Sequence, residues 1–520
     1  MATCGLIQRG AYFDSVTLMR VARELSLLPG VEDAAVVMGT KENRSILAAS
    51  NLWLKEFEES RDSDLLIAVR SESPDRAGEV LKTVDVRLRT AGKKGGAGEI
   101  SPRTLEAAVG IVPDASLALI SVAGRYAADE AMKALEKGLH VMIFSDNVPI
   151  ESEIELKRFA HERGLLVMGP DCGTAIINGV PLGFANAVTR GNIGIVAAAG
   201  TGLQEVSSLI SNLGGGVSQA IGTGGRDVKE AVGGIMFLDA MEAIGRDEAT
   251  RVVVLISKPP HPSVMRKLLK TAREIGKPVV ANFVGAREEF GGGITRADTL
   301  EEAAILAVGL ARGEKTDKVR KELHSRDDEI RSDARKMVRR LAPSQRYVRG
   351  LFSGGTFCAE AQVILRGKVK KAYSNAPVEP FEKLKDSWKS VGHSMVDFGE
   401  DEFTVGRPHP MIDYSLRNRK ILEEAENPET AVILLDVVLG WGSNLNPIAD
   451  LAPVLETALE KAAAAKRCLP IICSVTGTDQ DPQSRRSVVE GLQRAGATVL
   501  PSNAAASLLA AETACLREAK

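Results

Sequence analysis

Short apolar runs that never alternate with polar residues, each followed by a helical pattern, recur through most of this chain. From about residue 110, "LALISVAG" leads into the helical "AADEAMKALEKG", then "LHVMIFSD", "ESEIELKRFAHERG" and "LLVMGPDC". The rhythm resumes at "GNIGIVAAAG" and runs through "VVVLISKPP" and "KPVVANFVG" to about residue 312. A strand with one wet face alternates polar and apolar side chains, so a run without alternation is buried on both faces. Helices between such runs predict parallel sheets covered on each side. A further α/β module follows from about residue 346, with strands "RGLFSG", "TAVILLDVVLG" and "LPIICSVTG".

The flanking segments read differently. Residues 1 to about 92 predict a small α+β unit: "SVTLMRVARELSLL" as a helix with Ser15 as N-cap, "VEDAAVVMG" and "SDLLIAVRS" as strands, "DRAGEVLKTVDVRLR" as a second helix. The glycine-rich "AGKKGGAGEI" predicts a linker. Between the later modules, "EKTDKVRKELHSRDDEIRSDARKMVRR" predicts a solvated linker helix, with a partner-docking helix as the alternative.

Composition excludes several partners. A net charge of −2 provides no basic field for nucleic acid or an acidic membrane surface. Aromatic residues at 4% argue against a surface for stacking bases. The six cysteines contain no Cys-x-x-Cys pair, which argues against a zinc or redox motif. The opening "MATCGLIQRGAYFDS" does not read as a signal peptide, since Arg9 interrupts it before an apolar run develops. Nor does any apolar stretch reach the roughly 18 residues of a membrane span. A cytoplasmic protein is the expectation.

Four stretches carry candidate chemistry. In "IGIVAAAGTGLQEV", a buried strand turns through glycine into a helix. Thr201 is expected to cap that helix, with Gln204 completing a capping box. Leu203, Val206, Ile210 and Leu213 form its expected buried stripe. The Ala-Ala-Ala-Gly approach lets backbone amides reach a ligand, and the helix start adds positive potential, so Gly200, Thr201 and Gly202 are expected to hold a phosphate. An ordinary strand-to-helix turn is the alternative. "VRGLFSGGTFCAEA" echoes it: Gly200-Thr201 falls on Gly355-Thr356, Gly354 lies alongside, and Glu205 falls on Glu360.

In "AIGTGGRDV", Gly222, Gly224 and Gly225 are expected to clear space while Arg226 contacts a carboxylate or phosphate. This is not a Rossmann fingerprint, because Asp227 stands where its third glycine would be, and no Walker A sequence is present. In "SVTGTDQDPQSRRSVVEGL", Asp481 is expected to cap a helix that Pro482 opens. Thr476, Gly477 and Thr478 then form a strand-end loop on the usual ligand face of a parallel sheet, with simple helix initiation as the alternative. In "VGRPHPMIDYSLRN", prolines bracket His409, with Arg407, Asp413 and Arg417 close in sequence. A histidine beside arginines can bind an anion or move a proton, although a lone histidine is more often structural. His140, His161, His261, His324 and His393 have no convincing partners, and no metal-ligand cluster appears.

On these residues the chain resembles a known group. From about 115 to 310 it is similar to the α subunit of succinyl-CoA synthetase: "LLVMGPDCGTAI", "IGIVAAAGTGLQEV" and "AIGTGGRDV" match that subunit's Gly-Pro-Asn-Cys, Ser-Gly-Thr and Gly-Gly-Asp segments. The later module resembles the CoA-ligase domain of the β subunit, and the order resembles ADP-forming acyl-CoA synthetases. Over nearly the whole length the chain most resembles the FdrA family, through "VMIFSDNV", "GLLVMGPDCGT", "GGRD", "ISKPP", "VGRPHPMIDYSLRN" and "VTGTDQDPQ".

The resemblance implies an α/β fold with five parts. These are an N-terminal α+β domain and linker (1–109), a Rossmann-like CoA-binding-type domain (110–189), a flavodoxin-like CoA-ligase-type domain (190–312), a charged linker helix (313–345) and a second flavodoxin-like CoA-ligase-type domain (346–520). Three family parts are missing. "REEFGGGITRADTLEEAA" has no histidine to phosphorylate, the first glycine-rich CoA-binding turn is absent, and no ATP-grasp domain is visible.

The FdrA resemblance implies oxamate carbamoyltransferase, a multi-subunit enzyme of allantoin breakdown that interconverts oxalurate and phosphate with oxamate and carbamoyl phosphate. The ligands implied are carbamoyl phosphate or another acyl phosphate and a small carboxylate. Companion subunits are implied, and no cofactor is required in this chain. Side-chain chemistry then suggests Gly200, Thr201 and Gly202 for phosphate, Arg226 or Arg407 for a carboxylate, and His409 for proton movement, with Glu205 as a second catalytic candidate. Two alternatives stay open: an acyl-CoA synthetase subunit that binds CoA and borrows an ATP-grasp from another chain, and a non-catalytic regulatory or scaffold protein.

Overall fold

The structure, a computed structural model, describes residues 2–11, 13, 15–40, 43–44, 47–48, 50, 52–92, 102, 104–286, 290–404 and 407–518. The expected Ser15 cap rests on a side chain outside this description, and most of the expected linker also lies outside the described residues. The chain forms two compact units: Met1–Ala115 with Asp401–His409, and Ser116–Glu400 with Pro410–Lys520. No helix among the described residues is long and apolar enough to cross a membrane.

The smaller unit is an α+β layer. Strand β3 (Leu65–Ser71) lies between β1 (Ala2–Gln8) and β2 (Val31–Met38), antiparallel to both. Helices α1 (Ser15–Ser26), α2 (Pro74–Lys82) and α3 (Val84–Gly92) cover one face. Leu18, Val21, Leu25, Ile67, Val69, Val80 and Leu88 form the core between them. The single helix expected over this last stretch is two, with α2 ending at Thr83. Ser73 starts α2 by accepting the Arg76 amide, with Pro74 in the first turn. Strand β1 was not expected, since "ATCGLIQ" carries no clear period and is recognisable only through its pairing with β3.

The larger unit is mixed α/β with parallel sheets. Strands β4 (Leu117–Ile120), β5 (His140–Ile143) and β6 (Val167–Met168) form a small parallel sheet with α4 (Gly124–Glu136) and α5 (Ile150–His161). A hairpin follows, β7 (Thr174–Ile177) and β8 (Val180–Gly183). Its turn places Asn178 and Gly179 at φ 52° and 83°, the left-handed pair of a type I′ turn. The hairpin joins the next sheet rather than the small one, through an antiparallel contact of β7 with β10.

Two modules with one topology make up the rest. The first runs β9 (Arg190–Ala198), α6 (Gly200–Asn212), β10 (Val217–Gly222), α7 (Ile235–Arg246), β11 (Val252–Ser257), α8 (Pro262–Glu274), β12 (Val279–Phe283), β13 (Ile294–Arg296) and α9 (Leu300–Ala311). Its strand order across the sheet is β10-β9-β11-β12-β13. Helix α10 (Thr316–Val338) leads to the second module. That module contains β14 (Tyr347–Phe352), α11 (Gly355–Arg366), the short β15 (Tyr373–Ser374), β16 (Ser394–Asp397), α12 (Ser415–Glu426), β17 (Thr430–Val438), α13 (Pro447–Ala464), β18 (Ile471–Thr476), α14 (Arg485–Arg494), β19 (Thr498–Leu500) and α15 (Asn503–Glu518). Its order is β16-β14-β17-β18-β19, with β15 added at the edge. Both are the flavodoxin-like 2-1-3-4-5 arrangement, whose ligands bind beyond the carboxyl ends of the strands.

One apolar core joins the modules. It runs from Ile193, Leu203 and Val254 through Ala304 and Ile330 to Phe357, Leu434 and Ala510. Helix α6 is consequently buried on every side from Thr201 to Ile210, not along one stripe, and Leu213, expected in that stripe, is exposed at its C-cap. Helix α10 is not a free linker. Val319, Ile330, Ala334 and Val338 are buried, and Arg320 pairs with Glu302 at 2.8 Å, Arg326 with Glu301, and Arg331 with Glu512 at 3.3 Å. It straps the last helix of one module to the last helix of the other.

Candidate functional site

The two Gly-Thr turns meet tip to tip. A Cβ added to Gly354 would lie 2.9 Å from Thr201 Cγ2, and one added to Gly202 would lie 3.1 Å from Thr356 Cγ2. Only glycine permits this approach without displacing a neighbour. The expected capping box does not form. Helix α6 begins at Gly200 with Ala199 as N-cap and no side-chain cap, which leaves Thr201 inside the first turn. Helix α11 likewise begins at Gly355 after Gly354.

Uncapped starts leave first-turn amides free. An α-helix supplies no acceptor to its first amides, and those of Gly200, Thr201 and Gly202 have none among the described residues. Gly200 and Gly225 are exposed, Lys258 and Gly355 partly so, and the place is therefore open to solvent. Gln204, one turn along α6, is buried with both side-chain amide atoms unpartnered. Helical side chains lean toward the N-terminus, which brings that amide toward the same start.

Charge separates the two starts. Laying Gly200 on Gly355 puts Ala197 on Phe352. Ala197 registers with Gly222, whereas Phe352 registers with Asp397. The first module thus has glycine where the second has a carboxylate. On the next strand, Ser257 registers with Ala198, and Leu435 with Leu351. Extending both registers, Ile256 corresponds to Asp436 and Lys258 to Val438. By register the first module thus carries a lysine and no acid at these strand ends and the second carries two acids, while the Lys258 side chain reaches the tip of the junction, its Nζ lying against Gly355 at the start of α11.

Both acids are held firmly. Asp436 accepts from Ser353 N and Oγ at 2.7 Å and from Gly354 N at 2.9 Å, and it pairs with buried Arg417 at 3.0 Å. Asp397 Oδ2 and Lys258 Nζ crowd Gly355, since a Cβ there would meet them at 2.6 and 3.4 Å. Burial pushes the Asp397 carboxyl up to about 6, with the Lys258 charge opposing. Neither Lys258 nor Asp397 is among the residues expected from sequence. Their signal is a charged residue at the carboxyl end of an otherwise apolar strand.

Other expected site residues serve packing. Gly222 and Gly224 are required because added Cβ atoms would sit 2.4 Å from Thr174 O and 2.4 Å from Pro170 O; they let the "GPDCGT" segment approach. Gly225 alone of the three glycines leaves open space, 3.8 Å from Ala198 O. Arg226 is engaged within the protein, Nε with Glu153 Oε2 at 2.8 Å and Nη2 with Val148 O at 2.9 Å. Asp227 pairs with buried Lys157 at 2.8 Å and accepts the Phe237 amide at 2.7 Å, which ties this loop to α5 and α7.

The "TGTDQD" loop is also internal. Thr476 donates to Glu205 at 2.5 Å, Gly477 O accepts from Asn212 at 2.9 Å, and Thr478 donates to Ala187 O at 2.5 Å. Asp481 does not cap α14, which starts at Arg485. It accepts from Thr478 N, Ala187 N and Asn186 Nδ2 at 2.7 to 2.9 Å.

Glu205 and Glu360 form a crossed pair of caps. Glu205 accepts the Asn503 amide at 3.0 Å, at the start of the second module's last helix. Glu360 accepts the Leu300 amide at 2.8 Å, at the start of the first module's last helix, and Asn503 Nδ2 at 2.8 Å. Burial raises both carboxyls, Glu205 to about 6 and Glu360 to about 7. Their geometry joins the modules and leaves no oxygen of Glu205 facing the helix start.

Arg407 and His409 lie in the segment that belongs to the smaller unit, where the Arg407 charge counters the burial that raises Asp33. Cys172 and Cys473 are buried thiols pushed up to about 12, which removes them as nucleophiles near neutrality.

These features define a CoA-ligase-type α/β scaffold. Residues 351–513 match the CoA-ligase family model, and residues 1–103 match the model described as AllF, heavy metal-associated domain. The latter segment holds a single cysteine, Cys4, and no histidine. The chain belongs to the family of the Escherichia coli K12 protein described as "Uncharacterized protein YahF", to which it is 44% identical over 515 residues, 99% of each chain. It is also 27% identical over 176 residues to the succinate–CoA ligase (ADP-forming) subunit alpha 1 of Archaeoglobus fulgidus, covering 33% of this chain and 59% of that one. The malate–CoA ligase subunit alpha of Methylorubrum extorquens is 27% identical over 214 residues, covering 40% and 70%.

Proposed function

We propose that this chain is the acyl-phosphate-handling subunit of a carbamoyltransferase of the oxamate type, built on an acyl-CoA synthetase-like scaffold. One observation carries the reading: the amides of Gly200, Thr201 and Gly202 have no acceptor among the described residues, and they lie at the junction whose other tip, Gly355, has Lys258 Nζ against it. Such a cradle stabilises a phosphate and the charge that develops on a transferring acyl phosphate. The histidine-free stretch after β12 supports a route without a phosphohistidine. Oxalurate and phosphate would exchange the carbamoyl group here to give oxamate and carbamoyl phosphate. The small carboxylate and the proton-moving group would come partly from companion subunits, since Arg226 and Glu205 are engaged within the chain. The chain is proposed to act in the cytoplasm and to need no cofactor of its own.

A second reading, an acyl-CoA synthetase subunit with its ATP-grasp on another chain, is favoured by the CoA-ligase match over 351–513. Calorimetric titration of the purified full chain separates the two. Binding of carbamoyl phosphate without binding of CoA supports the transferase. Binding of CoA supports the synthetase and overturns the first reading.

A further inference from the structure

We propose that Asp397 makes this site selective for acyl phosphates whose acyl group carries an N–H donor, and that this donor bonds Asp397 Oδ2. The inference rests on the acyl-phosphate reading above. Asp397 is 2% exposed. Its Oδ1 accepts the Gly399 amide at 2.8 Å, while Oδ2 has no donor among the described residues. The backbone of Asp397 is fixed from both sides by Asn375, through bonds of 2.8 and 2.9 Å. The free oxygen is therefore held in place, beside Gly355 and on the lysine side of the junction. Lys258 does not neutralise it by direct pairing, since no ion pair within 4.0 Å joins them among the described residues.

An acid and a lysine held near one another but unpaired form a complementary couple. A planar acyl group with an amide nitrogen presents an oxygen to Lys258 and an N–H to Asp397, while its phosphate lies on the Gly200–Gly202 amides. An acyl group bearing only a methyl leaves a buried carboxylate oxygen unpaired and displaces the water that would solvate it. Sites built around such a hydrogen bond reject the analogue that lacks it strongly.

The test is titration of the full chain at pH 7.5 with carbamoyl phosphate, acetyl phosphate and inorganic phosphate, for wild type and Asp397→Asn. Carbamoyl phosphate should bind wild type on the order of 100-fold more tightly than acetyl phosphate. In Asp397→Asn the preference should shrink to about threefold or less, with phosphate affinity kept or improved because a negative charge is gone. Equal binding of the two acyl phosphates by wild type overturns the selectivity and leaves the acyl-phosphate reading standing, whatever the variant does. An undiminished preference in a folded Asp397→Asn overturns the assignment to this residue. No binding of any of the three overturns the acyl-phosphate reading and the selectivity with it.

Discussion

The two Gly-Thr junctions of the larger unit share a backbone and differ in charge. Each ends an apolar strand, begins an uncapped helix and packs its tip against the other. The first has glycine and isoleucine where the second has Asp397 and Asp436, and it has Lys258 where the second has valine. Under the proposed reading, duplicated topology sets where a ligand can bind, and three strand-end side chains bias which of two equivalent places takes an anion. At the second junction the amides just before the helix, those of Ser353 and Gly354, turn toward the Asp436 carboxylate, which shows the attraction such a turn offers an anion.

The comparison can be broken first at its scaffold. If the modules are aligned by their crossed caps, Glu360→Ala strands the Leu300 amide and Asn503 Nδ2 in a buried place. At about 1–3 kcal/mol per orphaned donor, plus the cavity, the larger unit should lose about 3–5 kcal/mol in denaturant unfolding. A loss below about 1 kcal/mol would mean that the caps do not hold the junctions together.

The charge difference comes next. Lys258→Ala should weaken phosphate binding about 10- to 100-fold, as for removal of a charged hydrogen bond, while unfolding stability stays within about 0.5 kcal/mol. Unchanged affinity would place the anion elsewhere.

A pH prediction follows from the raised carboxyls. Glu205 and Glu360 titrate higher folded than unfolded, so the native state binds more protons between the unfolded value of 4.5 and about 7. Their contribution is complete below that window and is lost as pH rises through it. At about 1.4 kcal/mol per pKa unit, Glu205 should account for about 2 kcal/mol and Glu360 for about 3–4 kcal/mol. Glu205→Gln should flatten part of this decline, and an identical slope in wild type and variant would contradict the burial of the pair. The smallest effect concerns the thiols: Cys172 and Cys473 should resist alkylation at pH 8 in the native protein, and rapid labelling of either would contradict their burial.

Much of the architecture is legible in the sequence because its cause is local. Non-alternating apolar runs between helices announce both flavodoxin-like modules, and the Gly-Thr echo announces their equivalence. The missing parts depend on partners distant in the chain. Strand β1 is defined by pairing with β3, and the β7–β8 hairpin by its attachment to β10. The charged α10 looks solvated until Glu301, Glu302 and Glu512 are brought to its arginines. For the site, the helix start at Gly200 was readable. Arg226, Thr476 and Asp481 were polar residues at strand ends whose partners inside the fold could not be read. Lys258 and Asp397 become notable only when the two registers are laid side by side.

The most direct measurement is a crystal structure of the full chain soaked with carbamoyl phosphate or a phosphonate analogue of it. Density for the phosphoryl group is expected on the amides of Gly200, Thr201 and Gly202 with Lys258 in contact, and none on the amides of Gly355 and Thr356. Phosphoryl density on the amides of Gly355 and Thr356 at the α11 start would contradict that placement.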